Sequence, residues 1–548
     1  MICAKRVHFM EKRLVIAIGL SLVVLLAFQL LTPAKKSYQP AEVPGAGIPA
    51  KEQVIPSESA LPAGEMDFQE KAPSDEPVQE TLTEIQTETY KLVFSDIGGS
   101  LKNISLNEYQ KRDKEEILVE ENDPAKRIFT MHSAQVSGLD RKRFELVKQE
   151  NSLEYRLVES GWMEITKRYT FDKSSNHIDL DIIIKNAASR TTPFSYQLIG
   201  PSGLVESSEV SGRSLLQADT MIDGKIWKTK ASKGAQERTG DITWVALKNR
   251  YFALILKPFS PPRAVTVKET LEKNILTVLA SQNYELSPGG TTEEKYMLYA
   301  GPLDDKRIAP LGYEMQKVVE YGFFGGLSKA LLSVLSFFYK GTKNWGIAII
   351  LLTVLVNAIL FPLTYKSFNA MQQMKKIQPH MQKLKELHKD NPQKLNKEMM
   401  ELYKKHNVNP LGGCLPLLLQ MPIFIALYQG LMKSVALKGA HFLWIKDLAQ
   451  PDAVALPFVL PLLGASINIL PLLMVGVMVL QQKISQGITG AGMTDEQASQ
   501  QRMMMIMMPL LFGFLFYKMP SGLVLYWLTN TILMTAEQSF ISRRMNAG

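Results

Sequence analysis

A run of 20 uncharged residues, from Trp345 to Thr364, constrains this chain more than any other feature. At about 1.5 Å per residue, a helix of this length spans roughly 30 Å, the thickness of the hydrocarbon core of a bilayer. Thr353 and Asn357 lie within the run, four residues apart, and therefore share one face of that helix. An unpaired amide facing lipid is costly. We therefore expect this face either to hydrogen-bond to other helices or to line a wet cavity.

Composition and motifs exclude several other kinds of protein. The hydrophobic content of 46% hides a split, because a long, mixed polar region precedes about 210 residues of apolar runs. The two cysteines, Cys3 and Cys414, lie outside the polar region, so a disulfide framework is excluded there. The chain has no Cys/His spacing for zinc and no HExxH, Walker or GxGxxG motif. The sequence therefore predicts no metal site and no cofactor.

The first residues predict a membrane anchor followed by a tether. Residues 1–13 carry four basic side chains, and residues 14–31 form an apolar run without a good cleavage site. This run is longer than the core of a secretory signal, so we expect an uncleaved transmembrane anchor with a cytoplasmic N-terminus. Met10 is an alternative start. Residues 32–89 are rich in Pro, Glu, Gln, Ser and Ala without periodicity, which predicts a disordered linker.

From Tyr90 onward the pattern changes to strands of period two, separated by turn-forming clusters. It predicts a large antiparallel β-sandwich at 90–305, on the outer side of the membrane. The predicted strands include 153–158, 162–171, 177–185, 243–256 and 271–281. Trp162, Trp227 and Trp244 are expected in its core or at its rim. The domain shows no catalytic constellation, so we do not expect an enzyme.

Two helical segments flank the first run. Residues 311–340 carry an apolar stripe that suits a helix in the membrane interface, and packing against the β domain is the alternative. Residues 366–413 contain ten lysines and four acidic residues, which places this short loop in the cytoplasm. Its spacing of apolar residues predicts a hairpin of two helices, the first kinked at Pro379. Its basic face is solvated or contacts anionic lipid or ribosomal RNA, and the lysines assigned to it are Lys375, Lys376, Lys383 and Lys385.

The remaining apolar runs complete six spans with both termini in the cytoplasm. Met503–Ala536 is 34 residues long, too long for one crossing, and Pro520–Gly522 divides it. The fold class is therefore an α-helical polytopic membrane protein with an all-β sandwich domain on the outer side of the membrane. After the spans at 14–31 and 345–364, the predicted segments are a span at 414–432, an outer loop at 433–465, a span at 466–482, a cytoplasmic loop at 483–502, spans at 503–518 and 520–540, and a cytoplasmic tail at 541–548.

Three motifs resemble those of the YidC membrane protein insertases. They are NPLGGCLP at 409–416, QMPIF at 420–424 and PSGLVLY at 520–526. The order of anchor, β-sandwich, interface helix and five-helix core with a cytoplasmic hairpin is similar to the Gram-negative form of this family. The resemblance implies a protein of the bacterial inner membrane with its large domain in the periplasm.

The resemblance also implies the activity. Such an insertase takes nascent inner-membrane proteins into a hydrophilic intramembrane groove and releases their apolar segments into the lipid bilayer. It works alone or with the Sec translocon, contacts the ribosome transiently, and has the signal recognition particle receptor as a further candidate partner. The substrate-contact positions of the family fall here on Thr353, Tyr526 and Trp527, and we expect Gln420 to line the groove too.

One position departs from the family pattern. The family carries a groove arginine five residues before the proline of its PLT motif, and Pro362 places that position at Asn357. A neutral amide keeps the groove polar but removes a fixed positive charge, so it cannot attract acidic substrate tails. We hypothesise that relief of desolvation and hydrogen bonding are sufficient here.

Three other readings stay open on the residues alone. A solute or ion transporter would show ionisable residues in its spans and repeated halves. The runs 345–364, 414–432, 457–480 and 503–517 contain no Asp, Glu, Lys or Arg. An intramembrane protease would need a nucleophile with a base, or paired aspartates, in the spans. A structural assembly factor acting through the outer domain is the third alternative.

Overall fold

The computed structural model describes residues 79–111, 114–149, 151–171, 177–205, 216–230, 234–270, 274–388, 391–406, 408, 415–460, 464–489 and 495–546. The chain divides into two compact units, Met1–Phe68 and Gln69–Gly548, and all described residues belong to the second. The predicted anchor at 14–31 and linker residues 32–78 therefore lie outside the described residues.

The first part of the second unit consists of antiparallel sheets. Nine strands form the largest sheet, in the order β13-β12-β15-β16-β20-β9-β8-β7-β6. Five strands form a second sheet, β14-β17-β18-β11-β5, which packs against it where β15 contacts β17 and β18. The strands are β1 Leu82–Gln86, β2 Tyr90–Ser95, β3 Ser100–Lys111, β4 Lys114–Glu120, β5 Met131–His132, β6 Glu145–Lys148, β7 Ser152–Glu159, β8 Met163–Phe171, β9 His177–Asn186, β10 Thr192–Phe194, β11 Gln197–Ile199, β12 Gln217–Ile222, β13 Lys225–Lys230, β14 Gln236–Arg238, β15 Ile242–Lys248, β16 Phe252–Pro258, β17 Ala264–Glu269, β18 Ile275–Ala280, β19 Tyr284–Leu286, β20 Thr291–Pro302, β21 Val454–Leu460 and β22 Gly464–Ile467.

The strand predicted at 243–256 is wrong in one respect, because the chain turns back within it. The structure has two antiparallel strands there, β15 and β16. Asn249 causes the turn, since its side-chain oxygen accepts hydrogen bonds from the backbone amides of Tyr251 and Phe252, both at 2.9 Å. An Asn side chain that bonds to the backbone two residues on is a common turn former. Of the three tryptophans expected in the core or at the rim of the sandwich, Trp244 is fully buried, whereas Trp227 is exposed.

The folded region also begins earlier than predicted. β1 lies within the segment assigned to the linker and pairs with β2, with Leu82 opposite Ser95. Just before it, the carboxylate of Glu80 accepts hydrogen bonds from Arg127 and Lys102, both at 2.7 Å, and from Ser95 at 2.6 Å. Burial raises the pKa of Glu80, but these three hydrogen bonds outweigh it and lower the pKa to about 2. The tether is therefore fixed to the β domain by a partly buried ionic cluster.

Helices make up most of the second part. The helices are α1 Asp305–Ile308, α2 Gly325–Thr342, α3 Trp345–Leu387, α4 Pro392–Lys405, α5 Leu415–Lys433, α6 Ile469–Thr489, α7 Asp495–Phe516 and α8 Ser521–Asn546. The helix α3 contacts α2, α5 and α8, while α6 contacts both α7 and α8. Within the described residues, Trp345–Met374 is long and apolar enough to cross a membrane, and Ile469–Ile484 and Ile506–Phe516 are shorter apolar stretches.

The span assigned to 345–364 and the first half of the hairpin assigned to 366–413 lie on one helix, α3, which has 43 residues and includes Pro362 and Pro379. Its length is about 65 Å at 1.5 Å per residue. No Gly or Asn stands between Phe361 and Phe368 to end the helix, and a proline inside a helix removes one hydrogen bond without always ending it.

Two other helices begin later than predicted. The interface segment assigned to 311–340 forms a helix only from Gly325, because 3-10 turns and Gly322, with φ of 71°, precede it. The span assigned to 466–482 begins at Ile469, because Gly464–Ile467 pairs with Val454–Leu460 as a β-hairpin. The Asp452 carboxylate accepts a hydrogen bond from the Leu470 amide at 2.8 Å, which satisfies one free donor at this helix start. The run after Met503 breaks near Pro520, as predicted.

Glu80→Gln tests the ionic cluster that fixes the tether. The variant loses charge-assisted hydrogen bonds, so we expect β1 to dock about 1.5–3 kcal/mol less stably. The lowered pKa means that this stabilisation is present above the ordinary value of 4.5 and is lost as the pH falls toward 2. Hydrogen exchange of residues 82–86 in the full chain measures both effects. Glu84→Gln is the control, because its ion pair with Lys91 is exposed. Equal exchange in the two variants would contradict the assignment.

Candidate functional site

The buried face of α3 carries the two polar residues that the sequence placed there. Asn344 caps the helix by accepting a hydrogen bond from the Ile347 amide at 3.1 Å. The Thr353 hydroxyl is buried and donates to the Ile349 carbonyl at 2.7 Å. The Asn357 amide, 7% exposed, donates both to the Thr353 carbonyl at 2.8 Å and to the side-chain oxygen of Asn530 at 2.9 Å. Asn357 therefore joins α3 to α8.

A second hydrogen bond joins α5 to the same face of α8. The Gln420 side chain donates to the phenolic oxygen of Tyr526 at 2.6 Å, and both side chains are buried. Tyr526 and Asn530 are four residues apart, so they share one face of α8. We call Thr353, Asn357, Gln420, Tyr526 and Asn530 the polar seam. It lies where α3, α5 and α8 meet.

Trp527 does not belong to this seam, although the sequence grouped it with Tyr526. Its ring lies 4.9 Å from the ring of Phe424 and 5.4 Å from those of Phe512 and Phe516. Neighbouring residues of a helix point about 100° apart, which explains why the two side chains face different surroundings. Trp527 therefore packs in an aromatic cluster that joins α5, α7 and α8.

Several buried polar residues were missed by the sequence reasoning. Asn530 is the most important, because it is the partner of Asn357. A helical-spacing signal was present, since Asn530 follows Tyr526 by four residues, and Thr364 and Ser367 continue the face of Thr353 and Asn357. The missed residues that are buried include Thr364, Ser367, Asn530, Thr531 and Gln538.

The seam is uncharged and closed, and its polar groups bond to one another. Amides and hydroxyls that have partners cost little to bury, whereas an ionised group would need a counter-charge. The seam contains no base beside a nucleophile. Among the described residues, no cluster of three or more His, Cys, Asp or Glu side chains forms a metal site. What such an arrangement can do chemically is exchange hydrogen bonds with a polar group that enters it.

Three of the lysines assigned to the predicted hairpin are exposed. They are Lys376, Lys383 and Lys385, on the second half of α3, which also carries Lys375. The ring of His388 lies 2.9 Å from the carboxylate of Glu398, and this contact joins the end of α3 to α4. Thr353 and Asn357 of the seam lie on the same continuous helix as these lysines, and we call its second half the basic arm.

Comparisons with known proteins cover nearly the whole chain. Residues 82–334 match the family model described as the YidC periplasmic domain, and residues 337–547 match that of the 60Kd inner membrane protein. The membrane protein insertase YidC of Geotalea daltonii is 32% identical, over 98% of this chain and all of its own length. That of Citrifermentans bemidjiense is 33% identical, over 97% of this chain and 99% of its own.

A solved structure is similar as well. The crystal structure of an active YidC insertase with its first transmembrane domain resolved is 18% identical to this chain. The similarity covers 84% of this chain and 94% of that one, with a TM-score of 0.34.

A double-mutant cycle tests the bond between α3 and α8. Asn357→Leu and Asn530→Leu each remove one partner of this bond, and the double variant removes both. We expect a coupling of about 0.6 kcal/mol, with an upper bound near 1.7, as for hydrogen bonds between membrane helices. The free energy of unfolding in mixed detergent micelles measures it. Gln420→Leu with Asn530→Leu is the control pair and should be additive, since no direct hydrogen bond joins these residues. The absence of coupling between residues 357 and 530 would contradict the bond.

Proposed function

Because the chain belongs to the YidC family of membrane protein insertases, we propose that it inserts nascent membrane proteins by binding their polar segments at the seam. It is an inner-membrane protein with a periplasmic β domain. Its relatives are insertases rather than enzymes, and they do not support the alternative of a solute or ion transporter.

We further propose six spans, formed by the anchor at 14–31 together with α3, α5, α6, α7 and α8. The length and hydropathy of Trp345–Met374 support the second span. We place α2 in the membrane interface, because Leu331 and Leu335 are buried against the protein while Phe337 is 70% exposed. The basic arm of α3 with α4, and both termini, are then cytoplasmic.

The single observation that carries the mechanism is the pair of hydrogen bonds, Asn357 to Asn530 and Gln420 to Tyr526. When α3, α5 and α8 separate, both bonds break, and the freed groups can bind the backbone or polar side chains of an entering chain. Hydrogen bonds between membrane helices are weak in net free energy, about 0.6 kcal/mol each, so this exchange is nearly balanced. The seam thus lowers the desolvation cost of polar segments inside the bilayer, and apolar segments pass into lipid.

We propose the partners that the family resemblance implies. Nascent membrane proteins are the substrates, and the Sec translocon, the ribosome and the signal recognition particle receptor are the expected assemblies. Exposed Lys376, Lys383 and Lys385, together with Lys375, suit contact with anionic lipid or ribosomal RNA. Insertion needs no cofactor in this proposal, because hydrogen-bond exchange and transfer into lipid supply the free energy.

Photocrosslinking tests the path of the substrate. A crosslinking residue at position 353 or 357 should label a ribosome-stalled, single-spanning nascent chain at intermediate chain lengths alone, because occupancy of the seam is transient. Ile532 provides the control position, since it is 48% exposed on α8. Labelling at 532 with a silent seam across all lengths would place the substrate on the outer surface and would contradict the proposal.

Asn357→Arg tests whether hydrogen bonding is sufficient without a fixed charge. Arginine would lose the amide pairing with Asn530 and would add a charge that favours acidic tails only. We expect insertion of substrates with neutral or basic tails to change by less than about twofold or to fall, as measured by protease protection in inverted membranes. Asn357→Gln is the uncharged control. A large gain for all tail charges would sink the hypothesis.

A further inference from the structure

A cavity of about 500 Å³ lies outside the seam, where the β domain meets the helices. The turn between β15 and β16 forms one wall, α2 forms the second, and the end of α5 with the residues after it forms the third. The volume is that of a site for a small molecule. Trp345, whose ring stacks on Tyr339 with centroids 4.0 Å apart, lines it at the start of the second span. Aromatic side chains of this kind are enriched at the level of lipid headgroups.

Arg250 is the unusual residue of this cavity. Its side chain is 6% exposed, and its Nε donates to the Met432 carbonyl at 2.6 Å. Its Nη1 is buried and has no hydrogen-bond partner among the described residues, and none of their carboxylates forms an ion pair with it. Burial lowers the pKa of Arg250, and Tyr251, Tyr428 and Asp447 offset only part of that effect. A guanidinium still stays charged at neutral pH, so a buried charge here lacks a direct counter-ion.

The acidic groups that line the cavity are already engaged elsewhere. The Glu320 carboxylate lies 2.8 Å from both Lys248 and Lys228, and Asp305 lies 3.0 Å from Lys329. Asp304 caps α1 by accepting a hydrogen bond from the Lys306 amide at 3.0 Å. The lining therefore contains five cationic and three acidic side chains, and Arg250 is the buried cation among them for which the described residues supply no ion pair.

A second unpartnered atom belongs to another residue of the lining. The side-chain oxygen of Gln429 is buried and accepts no hydrogen bond from the described residues. Apolar side chains also line the cavity, Leu332 and Leu335 of α2 and Val435, and they alternate with Ser333, Ser336 and Ser434. An anion that pairs with Arg250 and also carries a hydroxyl donor and an apolar part would satisfy all three features.

We propose that this cavity binds a phosphate ester with a hydroxylated head, held by Arg250 through the phosphate and by Gln429 through a hydroxyl. An anionic phospholipid with a glycerol headgroup has this chemistry, and so does free glycerol phosphate. The apolar side chains of the lining and the interfacial position of α2 favour the lipid. The choice of a lipid over free glycerol phosphate rests on the interfacial placement proposed for α2. It does not depend on the insertase activity. The bound lipid would fix the β domain at the membrane surface.

Native mass spectrometry of the full chain in neutral detergent tests the site. We expect phosphatidylglycerol to bind at least tenfold more tightly than phosphatidylcholine and than inorganic or glycerol phosphate. Phosphatidylmethanol, which has the charge without the hydroxyls, should bind severalfold more weakly. Equal binding of glycerol phosphate would overturn the lipid source, and equal binding of phosphatidylcholine would overturn the anion site.

Matched variants locate the binding. Arg250→Gln should weaken phosphatidylglycerol binding at least tenfold, whereas Lys340→Gln, an exposed cation of α2 outside the cavity, should change it less than twofold. Ser336→Phe fills the cavity without removing Arg250, and it should also abolish tight binding. This variant tests the site even if Arg250→Gln fails to fold. Gln429→Leu should erase the preference for phosphatidylglycerol over phosphatidylmethanol. Unchanged affinity in both Arg250→Gln and Ser336→Phe would overturn the proposal.

Discussion

The hydrogen bond between Asn357 and Asn530 is the interaction on which the helical region depends. An amide in the middle of a span must find a partner, because the hydrocarbon core supplies none. In this chain the partner comes from α8, so the requirement of one side chain is met where α3 and α8 pack together. The bond from Gln420 to Tyr526 joins α5 at the same place. Two neutral pairs thus satisfy the buried amides where three helices meet.

A second set of contacts holds the β domain to these helices. Arg250 bonds to the Met432 carbonyl, Lys433 bonds to the Glu320 carbonyl at 2.5 Å, and Lys438 pairs with Glu116. All three involve a cation, and all lie near the C-terminal end of α5. With the spans as proposed, this end lies at the membrane interface, which tolerates charged groups, whereas the seam contains none. The proposed placement therefore accounts for the difference in charge between these contacts and the seam.

Much of this arrangement was readable from the residues, and the exceptions have physical causes. Alternating patterns located the strands at 153–158 and 177–185 well, because one face of each is buried and the other half-exposed. The turn at Asn249 was missed because apolar residues continue on both sides of it. The apolar first half and the basic second half of α3 differ in composition but not in helix propensity. The change in composition drew attention away from the continuity of the helix, which was therefore missed. Asn530 was missed because the partner of a buried amide is a tertiary choice that no local pattern encodes.

The neutrality of the seam bears on how easily it opens. A buried arginine would need a counter-charge or hydration, and removing it from either costs several kcal/mol. Each amide pair between membrane helices contributes only about 0.6 kcal/mol, so two pairs amount to roughly twice the thermal energy. An entering chain that offers its own donors and acceptors can replace that loss. In the proposed mechanism, the same weakness lets the pairs form again once the apolar segment has passed into lipid. Weak, uncharged and mutually satisfied groups therefore suit the proposed site, which would have to open, bind many different polar segments, and close without an external source of energy.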